Sequence, residues 1–415
     1  GWCLNYFFYS FDLKWGADTQ NFFFNNFLEL SDSPTKFGGI RMPIFTTTLF
    51  VWFVCWVICY RDVSHGIEKA CLVFMPILFG LTIILVIWTL TLDGAPSSIW
   101  ERYIKPDFSK IIFWSTEKPF WDIKSWNFNV WTDAFSQIFF TLSLGFGIMI
   151  TYASYLPEKT DITKNAYLTS FINCIYSLIA GTIVFGTIGF MAKEQGVEFA
   201  DVIKSGPQLA FVVYPKAISL LPWLKQVFGA MFFLVLVIAG ISSGISLIEA
   251  FTCALTDKFS WSRKKTVTIV CFLGFLGSIL FTTRSGLLLL DIVDHFATNY
   301  GLVAGGILEC VIVGWILKAK VLRKHVNGTG GVKINIIWDI AVRYITPLVL
   351  VVLLFLSIKT DLSRNYGGYD TDSLLIFGIN WMLVCMIAAV ALTFYPWRPE
   401  RLERKHRPEE DELLV

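Results

Sequence analysis

Eight stretches of this chain are apolar for long enough to cross a hydrocarbon layer of about 30 Å. They cover residues 43–60, 67–92, 167–191, 227–255, 267–281, 286–317, 344–358 and 373–395. A ninth, 130–155, is equally apolar but interrupted in its middle. The 415 residues are 55% hydrophobic and only 16% charged, too little polar surface to clothe a soluble globule of this size. Short strands of alternating polarity, which a membrane barrel needs, are absent from the sequence. The expected fold class is therefore all-α, a polytopic helical membrane protein.

The net charge of +2 selects no partner, but its distribution orients the chain. Lys and Arg gather at Arg61 and Lys69, Lys159 and Lys164, Lys258 with Arg263 to Lys265, Lys318 to Lys324, and Arg398 to Arg407. These places fall on one side when the helices alternate, so that side, with the C-terminus, is expected to be cytoplasmic. The membrane expected is the plasma membrane. Cys3, Cys55, Cys59, Cys71, Cys174, Cys253, Cys271, Cys310 and Cys385 stand singly without metal-type spacing and read as small buried hydrophobes. His65, His295, His325 and His406 are scattered, and no metalloenzyme motif occurs, which argues against a membrane enzyme.

The interruption is the candidate site. Residues 137–154 read QIFFTLSLGFGIMITYAS, with Ser143, Gly145 and Gly147 in the middle of an apolar helix. Backbone freed at that depth is tolerated only where protein or a cavity satisfies it, and such broken helices hold ions and substrates in secondary transporters. Gln137, Thr141, Asn173 and Ser177 are polar groups in apolar surroundings and need partners or ions. Gluing helices together and binding a ligand both answer that need, and the adjacent break favours ligands. Ala239, Ser242, Ser243 and Ser246 recur at helical spacing as a small, partly hydroxylated stripe, suited to close packing and to a monovalent cation alike. Glu249, Asp291, Asp294 and Glu309 are acids inside apolar stretches, where charge is costly. Gly66 and Pro76 bracket a helical stretch that reads equally as a kink or as a segment that unwinds. The stretch between Met191 and Trp223 reads equally as a cap over an outer vestibule or as ordinary surface.

The run QIFFTLSLGFGIMITYASY resembles the sixth helix of the neurotransmitter:sodium symporter family, and the order of Asn173, AGISS at 239–243, LDIVD at 290–294 and VRYITP at 342–347 agrees. The resemblance implies the inverted-repeat leucine-transporter fold, N-terminally incomplete. Residues 1–128 would hold the end of the third helix through the fifth, 129–317 the second repeat, and 318–415 the last two helices and the tail. It implies symport of a neutral, aliphatic amino acid with sodium by alternating access, and no covalent chemistry. Phe140, Thr141 and Ser143 would hold the ammonium group, and Phe140, Phe146, Ser243 and Leu247 the side chain. Thr141 and Asn173 would bind one sodium; Ala239, Ser242 and Ser243 would bind another. Gln137, Thr141, Asn173 and the neutral Ser177 would leave room for chloride. Phe140 with Asp294 would form the outer gate, and Tyr155 with Asp257 the inner one. The partners implied are the amino acid, the bilayer and, through the last helices, a second copy in a homodimer; nucleic acid is not among them. The family's first two helices and the substrate-facing tyrosine of its third have no counterpart in the sequence. A non-transporting sensor or accessory protein, or an inactive fragment, is therefore the alternative reading.

Overall fold

The computed structural model describes residues 1–110, 128–157, 159–204, 206–329 and 331–396, apart from Asp62 and Ser64. The basic tail from Arg398 and part of the connection 93–129 lie outside the described residues. Each of the eight uninterrupted apolar runs becomes a helix: α2 (Met42–Tyr60), α3 (Ile67–Leu90), α6 (Ile162–Gln195), α7 (Lys225–Phe259), α8 (Arg263–Thr282), α9 (Gly286–Ile316), α10 (336–363) and α11 (Thr371–Phe394). A short α1 (Trp2–Tyr9) precedes them, and the ninth run splits into α4 (Phe128–Thr141) and α5 (Ile148–Ser154). The chain is thus a polytopic helical membrane protein. Large apolar side chains along α10 and α11, Phe355 at 62% and Ile387 at 63% exposure among them, face outward, a surface suited to hydrocarbon rather than water.

The helix ends follow local chemistry. Asp161 caps α6 by accepting the Lys164 amide at 2.9 Å, and Gly196 ends it in the left-handed conformation. At 34 residues α6 is about 51 Å long, so it overshoots the hydrocarbon and reaches the loops outside. Pro76 sits inside α3, which nevertheless runs unbroken from Ile67 to Leu90.

Small residues set the close contacts. A Cβ on Gly186 would lie 2.5 Å from Thr89 of α3 and 3.0 Å from Ile99, so α6 meets its neighbours backbone-close there. Trp52 and Trp56 of α2 each donate an indole N–H to α8, to Ser278 at 2.9 Å and Thr268 at 3.1 Å.

The connections between α1 and α2 and between α6 and α7 are packed elements. Trp15, Phe23, Phe27 and Leu28, in the segment between α1 and α2, are buried with Tyr6, Phe211 and Phe233 in one aromatic core. In the segment between α6 and α7, Phe211, Tyr214, Ala217 and Ile218 are buried, while Ile203, Lys204, Pro207 and Gln208 line a cavity of about 1010 Å³ that also touches Asp291 and Asp294.

Candidate functional site

α4 ends in a Schellman-type turn. The Ser143 amide donates to the Phe140 carbonyl at 2.9 Å and the Leu144 amide to the Phe139 carbonyl at 3.2 Å, with Ser143 in the left-handed region at φ 55°. Gly145 at φ 78° and Gly147 at φ 71° continue the left-handed path before α5 restarts. A serine in that conformation is strained, a cost tolerated mostly where the backbone has a task. The break lies against α9: a Cβ on Gly145 would come 3.0 Å from the Leu302 carbonyl oxygen, and one on Gly305 would come 3.2 Å from the Gly145 carbonyl oxygen.

Two polar clusters flank the break. The Asn173 side-chain amide of α6 donates to the Thr141 hydroxyl at 3.3 Å, joining two residues 32 positions apart at the C-terminal end of α4. On α7 the hydroxyls of Ser242 and Ser243 both reach the Ala239 carbonyl, at 2.8 and 3.1 Å, so three oxygens converge within one turn. Ser246 follows, bonded to the Tyr152 hydroxyl of α5 at 2.8 Å, which ties α5 to the same helix.

Between the clusters is a cavity of about 760 Å³ lined by Phe140, Ser143, Phe146, Ser242, Ser243 and Leu247. The Phe140 and Phe146 rings meet edge to face, with centroids 5.9 Å apart. Asp294 lines this cavity and the 1010 Å³ cavity as well, so it stands at their divide.

The structure brings together Phe140, Ser143, Phe146, Ser243, Leu247 and Asp294 around the cavity, and Thr141 with Asn173 beside it. Gln137 and Ser177 are exposed on their helices, and among the described residues no hydrogen bond joins either to Thr141 or Asn173. At the opposite end, the Tyr155 hydroxyl donates to Glu249 at 2.6 Å rather than to Asp257, whose carboxylate lies 4.0 Å from the Cys253 thiol.

Arg263, one of the clustered basic residues that orient the chain, is the ion partner of Glu249. Its two terminal nitrogens hold both carboxylate oxygens, at 2.6 and 2.7 Å, and it also donates to the Cys59 and Arg61 carbonyls. The fully buried Glu249 is the signal that such a partner exists, since an acid at that depth is paired almost without exception.

A family model described as the Sodium:neurotransmitter symporter family matches residues 8–398. The chain belongs to this family. An uncharacterized sodium-dependent transporter of Methanocaldococcus jannaschii is 42% identical over 391 residues, covering 94% of this chain and 76% of that protein. Sodium- and chloride-dependent glycine transporter 2 of Xenopus laevis is 29% identical over 386 residues, 91% of this chain and 46% of its own length. The sodium- and chloride-dependent taurine transporter of Canis lupus familiaris is 27% identical over 374 residues, 88% of this chain and 58% of its own length. The chain therefore spans three quarters of the archaeal relative and about half of the animal ones. As a sodium:neurotransmitter symporter family member it is of a transporter family, not an enzyme family.

Proposed function

We propose that this chain carries the ion and substrate sites of a sodium-coupled symporter for a small, neutral, aliphatic amino acid. The observation that carries the reading is the joining of Thr141 to Asn173 on one side of the break and the convergence of Ala239, Ser242 and Ser243 on the other. Both clusters offer neutral oxygens, the donors that a small hard cation selects. In this reading Thr141 and Asn173 hold one sodium, and the Ala239 carbonyl with the Ser242 and Ser243 hydroxyls the other.

The C-terminal end of α4 presents carbonyls and the negative end of its dipole, which suits an ammonium group beside Phe140, Thr141 and Ser143. The aromatic pair Phe140 and Phe146, with Leu247 and Ser243, then takes the side chain. Ions stabilise the state that holds the substrate, so the sodium gradient drives a population shift between outward- and inward-facing forms. Phe140 and Asp294 gate the outer side; Tyr155 latches the inner end of α5, with Glu249 as the bonded acid and Asp257 further along α7. The neutral Ser177 leaves a chloride requirement open to the anion itself, as the names of the animal relatives suggest for those proteins.

Equilibrium binding tests the reading. Purified protein is offered tritiated glycine, taurine and leucine in sodium chloride, potassium chloride and sodium gluconate. A neutral amino acid should bind in sodium chloride and lose about tenfold or more in affinity in potassium chloride, an energetic coupling of about 1.4 kcal/mol. Ser177→Glu should remove any chloride requirement. Equal binding with and without sodium would defeat the assignment.

A further inference from the structure

His295 follows Asp294 directly on α9 but points into a different environment. Its Nε2 lies 2.7 Å from the Asp361 carboxylate near the end of α10, and Tyr300 donates to the same oxygen at 2.6 Å. The Asn299 amide meets Nδ1 at 3.0 Å, an arrangement that places the imidazole proton on Nε2, aimed at Asp361. The Tyr366 ring stacks on the imidazole at 3.6 Å and 14°. The same tyrosine donates to Asp291 at 3.0 Å, and Tyr369 donates to the other oxygen of Asp291 at 2.9 Å. His295 and Asp291, one turn apart, are thus both fastened to α10 and the loop that follows it.

Asp294 is attached differently. It faces the divide between the two cavities, with a 3.5 Å contact from Thr298 on its own helix. Adjacent residues on a helix stand about 100° apart, so fixing His295 fixes the direction in which Asp294 points. Just beyond, from Ala297 to Leu302, α9 widens into a π-helical turn, a feature frequent at functional sites. The anchor sits just before that turn, beside the buried Ile292 and Phe296.

We propose that His295 is a positioning residue for the passage between the two cavities: held by Asp361 and Tyr366, it locks the first half of α9 so that Asp294 faces that passage. The proposal rests on the transport reading and adds to it a residue that touches neither substrate nor ion.

The test is sodium-dependent uptake by the full-length protein in liposomes, with KM and maximal rate measured separately. His295→Phe keeps the stack on Tyr366 and removes both hydrogen bonds. It should raise KM about tenfold while changing the maximal rate less than about threefold, the pattern of lost binding rather than lost turnover. His295→Gln, which retains a donor toward Asp361, should recover most of the effect. In an Asp294→Asn background His295→Phe should add less than about twofold, because the group it positions is already altered. Should His295→Phe not fold, Asp361→Ala removes the acceptor that His295 and Tyr300 share and should give the same KM shift. A wild-type KM in these variants, or fully additive effects with Asp294→Asn, would overturn the proposal while uptake by the parent protein left the transport reading standing. A parent protein without sodium-dependent uptake would overturn both.

Discussion

Replacing Gly145 by valine is expected to abolish sodium-dependent transport, a loss of at least about a hundredfold. Two independent costs combine at this position. Its φ of 78° lies in the left-handed region, where a side chain costs about 1–2 kcal/mol and a β-branched one more. A Cβ would also meet the Leu302 carbonyl oxygen at 3.0 Å and its side chain at 3.1 Å, and further methyl groups would press the break away from α9. That movement would tilt Thr141 away from Asn173 and shift Ser143 and Phe146, disturbing the ion cluster and the substrate wall together. Gly147 supplies the control. It has a similar φ of 71° but open space around a Cβ, so Gly147→Asn, a residue that tolerates this conformation, should retain substantial uptake. Uptake assays on both variants decide the matter. Equal tolerance at the two positions would show that the contact with α9 has no functional weight.

Arg263→Met should be the most destabilising single change in the inner half, at about 3–5 kcal/mol, because it leaves a buried carboxylate without its cation. Glu249 is fully buried and accepts from both Arg263 nitrogens and from Tyr155. After the change only the tyrosine hydroxyl would remain, and the Cys59 and Arg61 carbonyls would each lose a donor as well. A thermal shift of the purified protein in detergent measures the loss. The paired change Glu249→Gln with Arg263→Met should recover a large part of it, since the unpaired charge is then gone. A double variant no more stable than Arg263→Met would mean that the arginine matters through its carbonyl contacts instead.

The helices were legible because hydrophobic length is a local property: each of the eight runs became a span with ends within a few residues of where apolar composition stops, apart from α6, whose polar ends extend it, and α10, which starts eight residues earlier, at Ile336, and runs through Asp339 and Arg343. The break was legible for the same reason, since Ser143, Gly145 and Gly147 interrupt an apolar helix within five residues. The pairing of Asn173 with Thr141 came from the resemblance, as nothing local relates residues on two different helices. The Arg263 and Glu249 pair stayed hidden because the helix turn between α7 and α8 brings a loop-like basic residue back to a buried acid. His295 stayed hidden for a similar reason: its partners, Asp361 and Tyr366, come from α10 and the loop after it, and a lone histidine carries no spacing signal. The connections around Phe23 and Phe211 also differ from what their length suggests. Their aromatic residues, Trp15, Phe23, Phe27 and Phe211 among them, are buried together in one core.

Gradient-driven uptake is the most direct test of sodium coupling. Full-length protein in sealed liposomes is given the amino acid that it binds best, with sodium outside and potassium inside, and then with potassium on both sides. The account predicts accumulation above the external concentration with the sodium gradient, collapse of that accumulation when the gradient is dissipated, and strong loss in Asn173→Ala. Accumulation that is indifferent to sodium, or sodium-dependent binding with no movement across the membrane, would contradict it.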